Sequence, residues 1–540
     1  MIMARPGQLD HLLLRRRAEG ILAPWRRNDG PGVTLGVILG SEVVVHDSAG
    51  MANIEFSVPI GPQTTFRIAS VSKQFTCAAV LLLAAEGRLS IDDDIRSHIT
   101  SLPDLGHRIT LAHLMHNTSG IRDMLEIMRL GGMDLAQPCR AEDLLDGVCR
   151  QRALNFAPGS RYLYSNSNFM LLGRVVEQVS GQSLRAFLDR RIFEPLGMNA
   201  TRHVAHTAEV VPNLASGYFP ERNGRWSRAQ HGFPLHGEGG LVSCVTDLAL
   251  WHANIASPRV GGTALANELA KVTPFNNGQP NAYARGVRIK QHRGVHTISH
   301  DGLWPGYKAS FVRIPDCDAA VICLSNDATS DPHDLSFRML DALLEGRPGI
   351  HAMPSVPPAD RLPGRYLNRA TGATVDVGTD AAGHVTACTH GVTFTTIPTA
   401  DGRLATSRGS ADFTMRLASD NTLEVERDAG VRETLARVTG EARLPTDLPG
   451  RYSNPDIAAT WTIGSGESGM VLRLAGPLCV GGPWEIEPIE GDFIRIVSPS
   501  PLFRGWLDTR VLRDAQGRIT GLHVDGSRVK GLLFSSEKAR

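Results

Sequence analysis

A serine hydroxyl is too weakly acidic to attack a carbonyl unaided and needs a neighbouring base; a lysine held out of water can lose its proton and be that base. Ser70-Val71-Ser72-Lys73 has the required spacing, S-x-x-K, at the start of a helical stretch. In a first helical turn residues i and i+3 share a face, and the positive helix terminus favours developing oxyanion charge. The spacing discriminates little by itself: Ser527 with Lys530 and Ser535 with Lys538 repeat it, so three of the six lysines satisfy it. Context separates them, because Ser70 precedes an amphipathic helix, whereas Ser527 is expected in a barrel strand and Ser535 in a fraying tail. Taken alone, Ser70 and Lys73 are more simply a helix cap and a solvated lysine.

Tyr164-Ser165-Asn166 places a phenol and a carboxamide on what reads as one loop, between Pro158-Gly159 and a helical stretch at 168–176. Such a pair can relay a proton and orient an amide. The Y-x-N pattern recurs at Tyr366 and Tyr452, and a core tyrosine with a satisfied hydroxyl is the plainer alternative. His300-Asp301-Gly302 falls between two strand-like segments; the histidine can donate to substrate or phenol, and the glycine admits a close backbone. A structural histidine is the alternative there. His292-Arg293-Gly294 has the same form but reads as an exposed hairpin tip. His296 and His300 are rejected as a metal pair, since no third ligand or H-E-x-x-H pattern accompanies them. The order S-x-x-K, Y-x-N, H-x-G carries more weight than any single match.

The elements that must position these residues follow from periodicity. Apolar stretches at 33–39 and 43–45 around Gly40-Ser41 predict a β-hairpin. Phe75, Ala78, Ala79 and Leu82 give the helix after Ser70 its apolar positions, and Gly87 ends it. Strands are expected at 284–289, 296–299, 309–314 and 319–324, and a helix at 334–344. Residues 1–345 thus read as an α+β catalytic domain, one antiparallel sheet drawn from distant parts of the chain and packed against helices. A linker at 346–361 contains Pro348, Pro354, Pro357 and Pro358. Beyond it, short alternating segments are punctuated at 381–383, Asp401-Gly402, Asp420-Asn421 and Ala429-Gly430, an all-β texture. Leu362-Pro363-Gly364-Arg365-Tyr366-Leu367-Asn368 recurs as Leu448-Pro449-Gly450-Arg451-Tyr452-Ser453-Asn454. Two duplicated antiparallel β-barrels, 362–447 and 448–540, fit that repeat, because closure removes exposed strand edges.

Composition removes other function classes. The chain has 540 residues, 42% hydrophobic and 21% charged, which suits a globular protein of three to four domains. A net charge of +1 offers no field for nucleic acid. Eight cysteines are scattered without a C-x-x-C pair, against a disulfide framework or zinc knuckle. The longest apolar run, 77–85, falls far short of the roughly 20 residues of a membrane helix, and no signal peptide is evident. A cytoplasmic protein with no membrane or nucleic-acid partner and no cofactor is expected.

The motif order resembles that of the penicillin-recognising serine hydrolases: β-lactamases, DD-peptidases and related esterases. Phe66-Arg67-Ile68-Ala69-Ser70-Val71-Ser72-Lys73-Gln74-Phe75-Thr76 is similar to that family's nucleophile segment. His116-Asn117-Thr118-Ser119-Gly120 and Gly239-Gly240-Leu241-Val242-Ser243, followed by Asp247-Leu248, resemble two of its later turns. The likeness covers about 25–345, with His300-Asp301-Gly302 where K-T-G is usual. Two C-terminal barrels, and the run RDAQGRITG at 513–521, resemble the bacterial D-aminopeptidases, which release N-terminal D-residues from peptides, amides and esters. The resemblance implies Ser70 as nucleophile, Lys73 as proton acceptor, Tyr164 as partner in proton transfer, Asn166 on the substrate amide and His300 at the K-T-G position. It adds Asp301, Gly302, Leu303, Gly481 and Gly482 as substrate-binding positions, the last two on a barrel loop placed at 476–484. That loop reads GPLCVGGPW and has no carboxylate for a substrate ammonium, leaving Asp301, Glu485 and Glu487 as candidates.

The expected activity is therefore acylation and deacylation of a short peptide, amide or ester substrate, with β-lactams as covalent ligands and a homodimer allowed. An esterase or β-lactamase-like enzyme on the same scaffold is the alternative. A catalytically silent ligand-binding protein is a third reading.

Overall fold

The computed structural model describes residues 11–346, 362–381, 383–399, 401–406, 413–419, 421–427, 431–467, 469–499 and 505–539. The linker prolines Pro348, Pro354, Pro357 and Pro358, and the turn positions Ala382, Asp420, Ala429 and Gly430, lie outside the described residues. The chain divides into two compact units. The first is Met1–Ile91, Phe169–Val272 and Ala282–Met353.

AAVICLS, the strand Ala319–Ser325, is buried at all seven positions, as a strand covered on both faces must be. It sits inside a six-stranded antiparallel sheet ordered Arg288–His292, Val295–Trp304, Tyr307–Ile314, Ala319–Ser325, Val33–Leu39, Glu42–Ala49. Val33 pairs with Ser325 and Leu39 with Ala319, so early and late segments of the chain are joined edge to edge. On one face, Leu14, Ala18 and Leu22 of the helix His11–Leu22 share a core with Leu340, Leu343 and Leu344 of Pro332–Leu344. On the other lies Val245–Ala256, at Gly36, where an added Cβ would stand 2.3 Å from Val245 Cγ1. The helix Lys73–Ala85 is buried without a break from Lys73 to Leu83. Its polar side chains, Lys73, Gln74 and Thr76, lie in the first turn and are buried too, so the expected solvent-facing side is missing from 73 to 83 and the helix is enclosed by its unit.

One strand expectation shifts, and so does one expectation of exposure. The strand foreseen at 284–289 begins only at Arg288, because Ala284 N–H bonds Val287 O in a turn through Gly286, at φ +76°. The hairpin tip is Arg293-Gly294, both with positive φ as a two-residue turn requires. His292 is not exposed as expected: its Nε2 lies 2.6 Å from Asp341 and its ring packs on Phe337.

The second unit is Asp92–Asn168, Thr273–Asn281 and Pro354–Arg540. It holds the helices Leu111–Met115, Met124–Leu130 and Ala141–Cys149 and two closed antiparallel barrels of eight strands each. The first barrel runs from Gly364–Leu367 to Val431–Arg437 and the second from Gly450–Asn454 to Leu532–Ser536. The repeated LPGRY opens each for one reason: Tyr366 Oη donates to Leu362 O at 2.9 Å and Tyr452 Oη to Leu448 O at 2.6 Å, pinning the first strand to the segment before it. Between the barrels, Arg495 forks onto Asp376 at 2.7 and 2.8 Å and lies over the Trp506 ring. The second barrel's core includes Ile127 and Leu130, and Trp461 Nε1 donates to Leu130 O at 2.9 Å. The two other S-x-x-K serines trade places relative to expectation. Ser527 is in the loop after strand Ile519–Asp525, and Ser535 is in strand Leu532–Ser536, where burial alternates strictly. Among the described residues no helix is long and apolar enough to cross a membrane.

Candidate active site

Ala69 has φ +47°, and from it the chain turns into the 3₁₀ segment Ala69–Ser72 before the helix begins at Lys73. In a 3₁₀ turn residues i and i+3 eclipse, which overlays Lys73 on Ser70. Lys73 Nζ stands 3.0 Å from Ser70 Oγ and donates to Glu238 O at 2.6 Å. The amine is wholly shielded from solvent, with the Phe169 ring 5.2 Å away. Segment 237–241 is in turn held by the same elements. Thr76 Oγ1 donates to Gly237 O at 2.7 Å, Leu241 N–H donates to Ser72 Oγ at 3.2 Å, and Ile68 N–H donates to Leu241 O at 3.1 Å. The second serine of S-x-x-K thus fixes the strand that sets the carbonyl on Lys73. Burial also pushes the Glu238 carboxyl above its usual range, and its Oε1 accepts from His236 N–H at 2.9 Å.

His300, Asp301, Gly302 and Leu303 lie inside strand Val295–Trp304, not between strands as expected. Alternation sends His300 and Gly302 to the face of the Ser70 turn. An added Cβ at Gly302 would be 2.1 Å from Ile68 O, so the site requires glycine. His300 Nδ1 lies 2.6 Å from Asp301 O and Nε2 2.9 Å from Tyr283 Oη. A carbonyl only accepts, so Nδ1 carries the proton and Nε2 accepts from the phenol. Burial above all lowers the His300 pKa to about 3, which keeps the ring neutral. Asp301 faces the other way: its Oδ2 lies 2.9 Å from His333 Nδ1 on the helix Pro332–Leu344. It is thereby removed as a partner for a substrate ammonium on the Ser70 face. Leu303 has an exposed side chain. The hairpin turns at 293–294 and 305–306 fix backbone parity, so 295, 297 and 299 aim their N–H groups toward strand Arg288–His292. By the same parity the Leu303 N–H points to that side, past the end of the strand.

In the second unit, the Asn117 Oδ1 accepts from Ser165 N–H at 3.0 Å and Asn168 Nδ2 at 2.9 Å, while Leu163 N–H donates to Asn117 O. The H-N-T-S-G loop is therefore a clamp on Tyr164-Ser165-Asn166. Asn166 is not on the loop but is the first residue of the helix Asn166–Ser180. Its N–H and its Nδ2 both donate to Asp123 Oδ2, at 2.6 and 2.9 Å, which fixes Oδ1 as the accepting end of the amide. Over the Tyr164 ring, 4.8 Å from its centroid, lies the Arg528 guanidinium. Its loop is anchored by Glu126, which accepts from Ser527 N–H at 3.0 Å and Arg528 N–H at 2.5 Å.

A barrel segment beside Tyr164 is thus 526–531, which the sequence did not single out for the site. Gly481 is in strand Val480–Glu490, pressed on Gly132, where an added Cβ would come within 2.3 Å of the Gly132 carbonyl oxygen. Gly482 packs over Leu472 O in the same way. Glu485 is exposed on that strand, and Glu487 is half-buried there. Sequence reasoning did not find Glu238, Tyr283, Asp123 or Arg528. Each acts through a partner outside any short motif, 17 residues away for Tyr283 and His300 and 165 for Glu238 and Lys73, and no local pattern marks it.

A family model described as Beta-lactamase matches residues 15–344, more than half of the chain. The chain belongs to the beta-lactamase family. Within that family it is similar along nearly its whole length to proteins named D-aminopeptidase. One from Brucella ovis is 28% identical over 526 residues, covering 94% of this chain and 95% of the relative. Another, from Brucella anthropi, is 27% identical over 530 residues, covering 93% and 96%. Among solved structures, an octameric penicillin-binding protein homologue from Pyrococcus abyssi has a TM-score of 0.56 at 23% identity, covering 79% of this chain and all of that one. The D-amino acid amidase from Ochrobactrum anthropi SV3 has a TM-score of 0.52 at 23% identity, covering 62% and 99%. These two likenesses concern the beta-lactamase fold.

Proposed function

We propose that this beta-lactamase-family chain is a serine hydrolase that releases N-terminal D-amino acids from short peptides, amides or esters through an acyl-enzyme on Ser70. The observation that carries the reading is the enclosed lysine amine 3.0 Å from the Ser70 hydroxyl, in a chain aligned over 94% of its length with proteins named D-aminopeptidase. Ser70 Oγ attacks the substrate carbonyl while Lys73, as the neutral amine, takes its proton; a buried position favours that uncharged form. Tyr164 shares the proton transfer and returns a proton to the leaving amine. The Ser70 and Leu303 N–H groups hold the tetrahedral oxyanion, each donor worth about 3 kcal/mol. Asn166 Oδ1 accepts the substrate amide N–H. Neutral His300, fixed by Tyr283, presents no charge to the ester or amide, and water then cleaves the acyl-enzyme. A β-lactam carbonyl would acylate the same hydroxyl.

The test is release of p-nitroaniline from D-alanine p-nitroanilide, with its L-isomer and N-acetylated form alongside. Brisk cleavage of the free D-substrate alone, abolished by Ser70→Ala, is the expected result; turnover surviving in Ser70→Ala would remove the nucleophile assignment. One observation favours a second reading. Asp301 is bonded to His333 and residues 476–484 carry no carboxylate, so of the partners foreseen for a substrate ammonium only Glu485 and Glu487 are left. An uncharged ester or amide needs no such partner, and fast p-nitrophenyl acetate cleavage without D-anilide cleavage would select it.

A further inference from the structure

Inside the second unit, residues 153–155, the turn at Ala370-Thr371 of the first barrel and the strand ends of the second surround a cavity of about 400 Å³. Its cations are Arg122, Arg510 and Lys530, set against one carboxylate, Asp525. Arg122 is buried and already matched: it bonds Asp456 at 3.0 Å and Gln151 at 3.1 Å, and its Nη2 donates to Lys530 O at 3.1 Å. It therefore forms a fixed floor that also holds the backbone of Lys530.

The other two cations differ. Arg510 donates to the Ala370 carbonyl at 3.3 Å, and Lys530 Nζ to the Gly526 carbonyl at 2.6 Å and to His390 Nε2 at 3.1 Å. His390 is a neutral acceptor: its Nδ1 bonds the Trp506 carbonyl, and burial, followed by Lys530 and Arg427, holds its pKa well below the usual value. Among the described residues neither Arg510 nor Lys530 forms an ion pair with a carboxylate. Asp525 Oδ1 is engaged by Gly531 N–H at 2.7 Å. Asp508, behind His390, is taken by Thr374 at 2.6 Å.

We propose that this cavity is a binding site for a small organic carboxylate. Two cations satisfied only by neutral acceptors converge on one space far larger than a water molecule. A guanidinium fork and an ammonium together suit a carboxylate, which takes paired donors on one side and a point charge on the other. Ala153, Leu154 and Ala370 give the wall apolar patches, which a bare inorganic anion would not use and an organic group would cover. The site's ligand is thus a small organic acid of amino-acid to dipeptide size.

The experiment is calorimetric titration of the full chain with N-acetylglycine at neutral pH and physiological salt, with inorganic phosphate as a parallel arm. N-acetylglycine binding that weakens by about tenfold or more in both Arg510→Ala and Lys530→Gln is expected. Arg510→Lys should retain part of the affinity, and unchanged thermal unfolding shows that the variants fold. Affinity unchanged in both charge-removing variants, or no heat up to about 10 mM ligand, overturns the site. Phosphate binding as tightly as N-acetylglycine overturns the organic assignment. The titration requires no turnover, so its result stands apart from that of the hydrolase reading.

Discussion

A methyl group at position 302 would stand 2.1 Å from the Ile68 carbonyl oxygen, two residues before Ser70. The backbone there cannot yield cheaply, because Ile68 N–H is bonded to Leu241 O and Val71 N–H to Ile68 O. Gly302→Ala is therefore expected to lower stability by about 1–3 kcal/mol, as overpacking does. It should also lower kcat/KM for the D-anilide by at least about 100-fold, since the displaced turn carries the nucleophile. Urea unfolding and steady-state kinetics on one preparation read both effects. A variant with wild-type kinetics would show that the 300–303 strand does not border the reacting atoms. His300 shows the same dependence on neighbours: its neutral tautomer is set by Tyr283 and the Asp301 carbonyl, not by its own place in H-x-G.

At the level of elements, alternation and repetition were readable. The hairpin at 33–39, the buried run 319–325 and the closing helix appear where periodicity puts them. The repeated heptapeptide correctly announced two barrels, although Y-x-N in those copies serves the turn and not chemistry. Tyr452→Phe, which removes only the hydroxyl bonded to Leu448 O, should cost about 1 kcal/mol in a urea titration, with catalysis intact. Loss of stability much beyond that would mean the ring itself is displaced. The missing readings share a cause. Ser527 sits between Gly526 and Gly531 in a loop whose backbone is captured by Glu126, about 400 residues away in sequence. The Lys73 acceptor is the carbonyl of Glu238, and a backbone atom leaves no signature in residue type. A short motif encodes what is near along the chain; it does not encode which distant carbonyl or cation the fold will deliver.

Across the whole molecule, buried neutral histidines set the response to acid. Burial foremost lowers the pKa of His203 to about 3, of His252 to about 4 and of His300 to about 3. Unfolded, these rings titrate near 6.5, so between roughly pH 6.5 and 4 the unfolded chain binds more protons than the folded one. Their contribution is complete above that window and is lost as pH falls through it, up to about 2 kcal/mol apiece at pH 5. The urea midpoint should drop clearly from pH 7.5 to pH 5, and a midpoint unchanged or raised would contradict the neutral assignments.

The two barrels, alike in strand count and opening motif, differ in how far each can stand alone. The first fills its interior from its own strands, with Tyr366, Phe413 and Leu435 among its core. The second borrows Ile127 and Leu130 from a helix some 300 residues earlier, and Trp461 donates its indole N–H to the Leu130 carbonyl of that helix. A gene fragment encoding 448–540 would yield a vessel missing its stopper, open to self-association. A recombination event or an engineered graft that moved this barrel would have to carry residues 124–130 along with it.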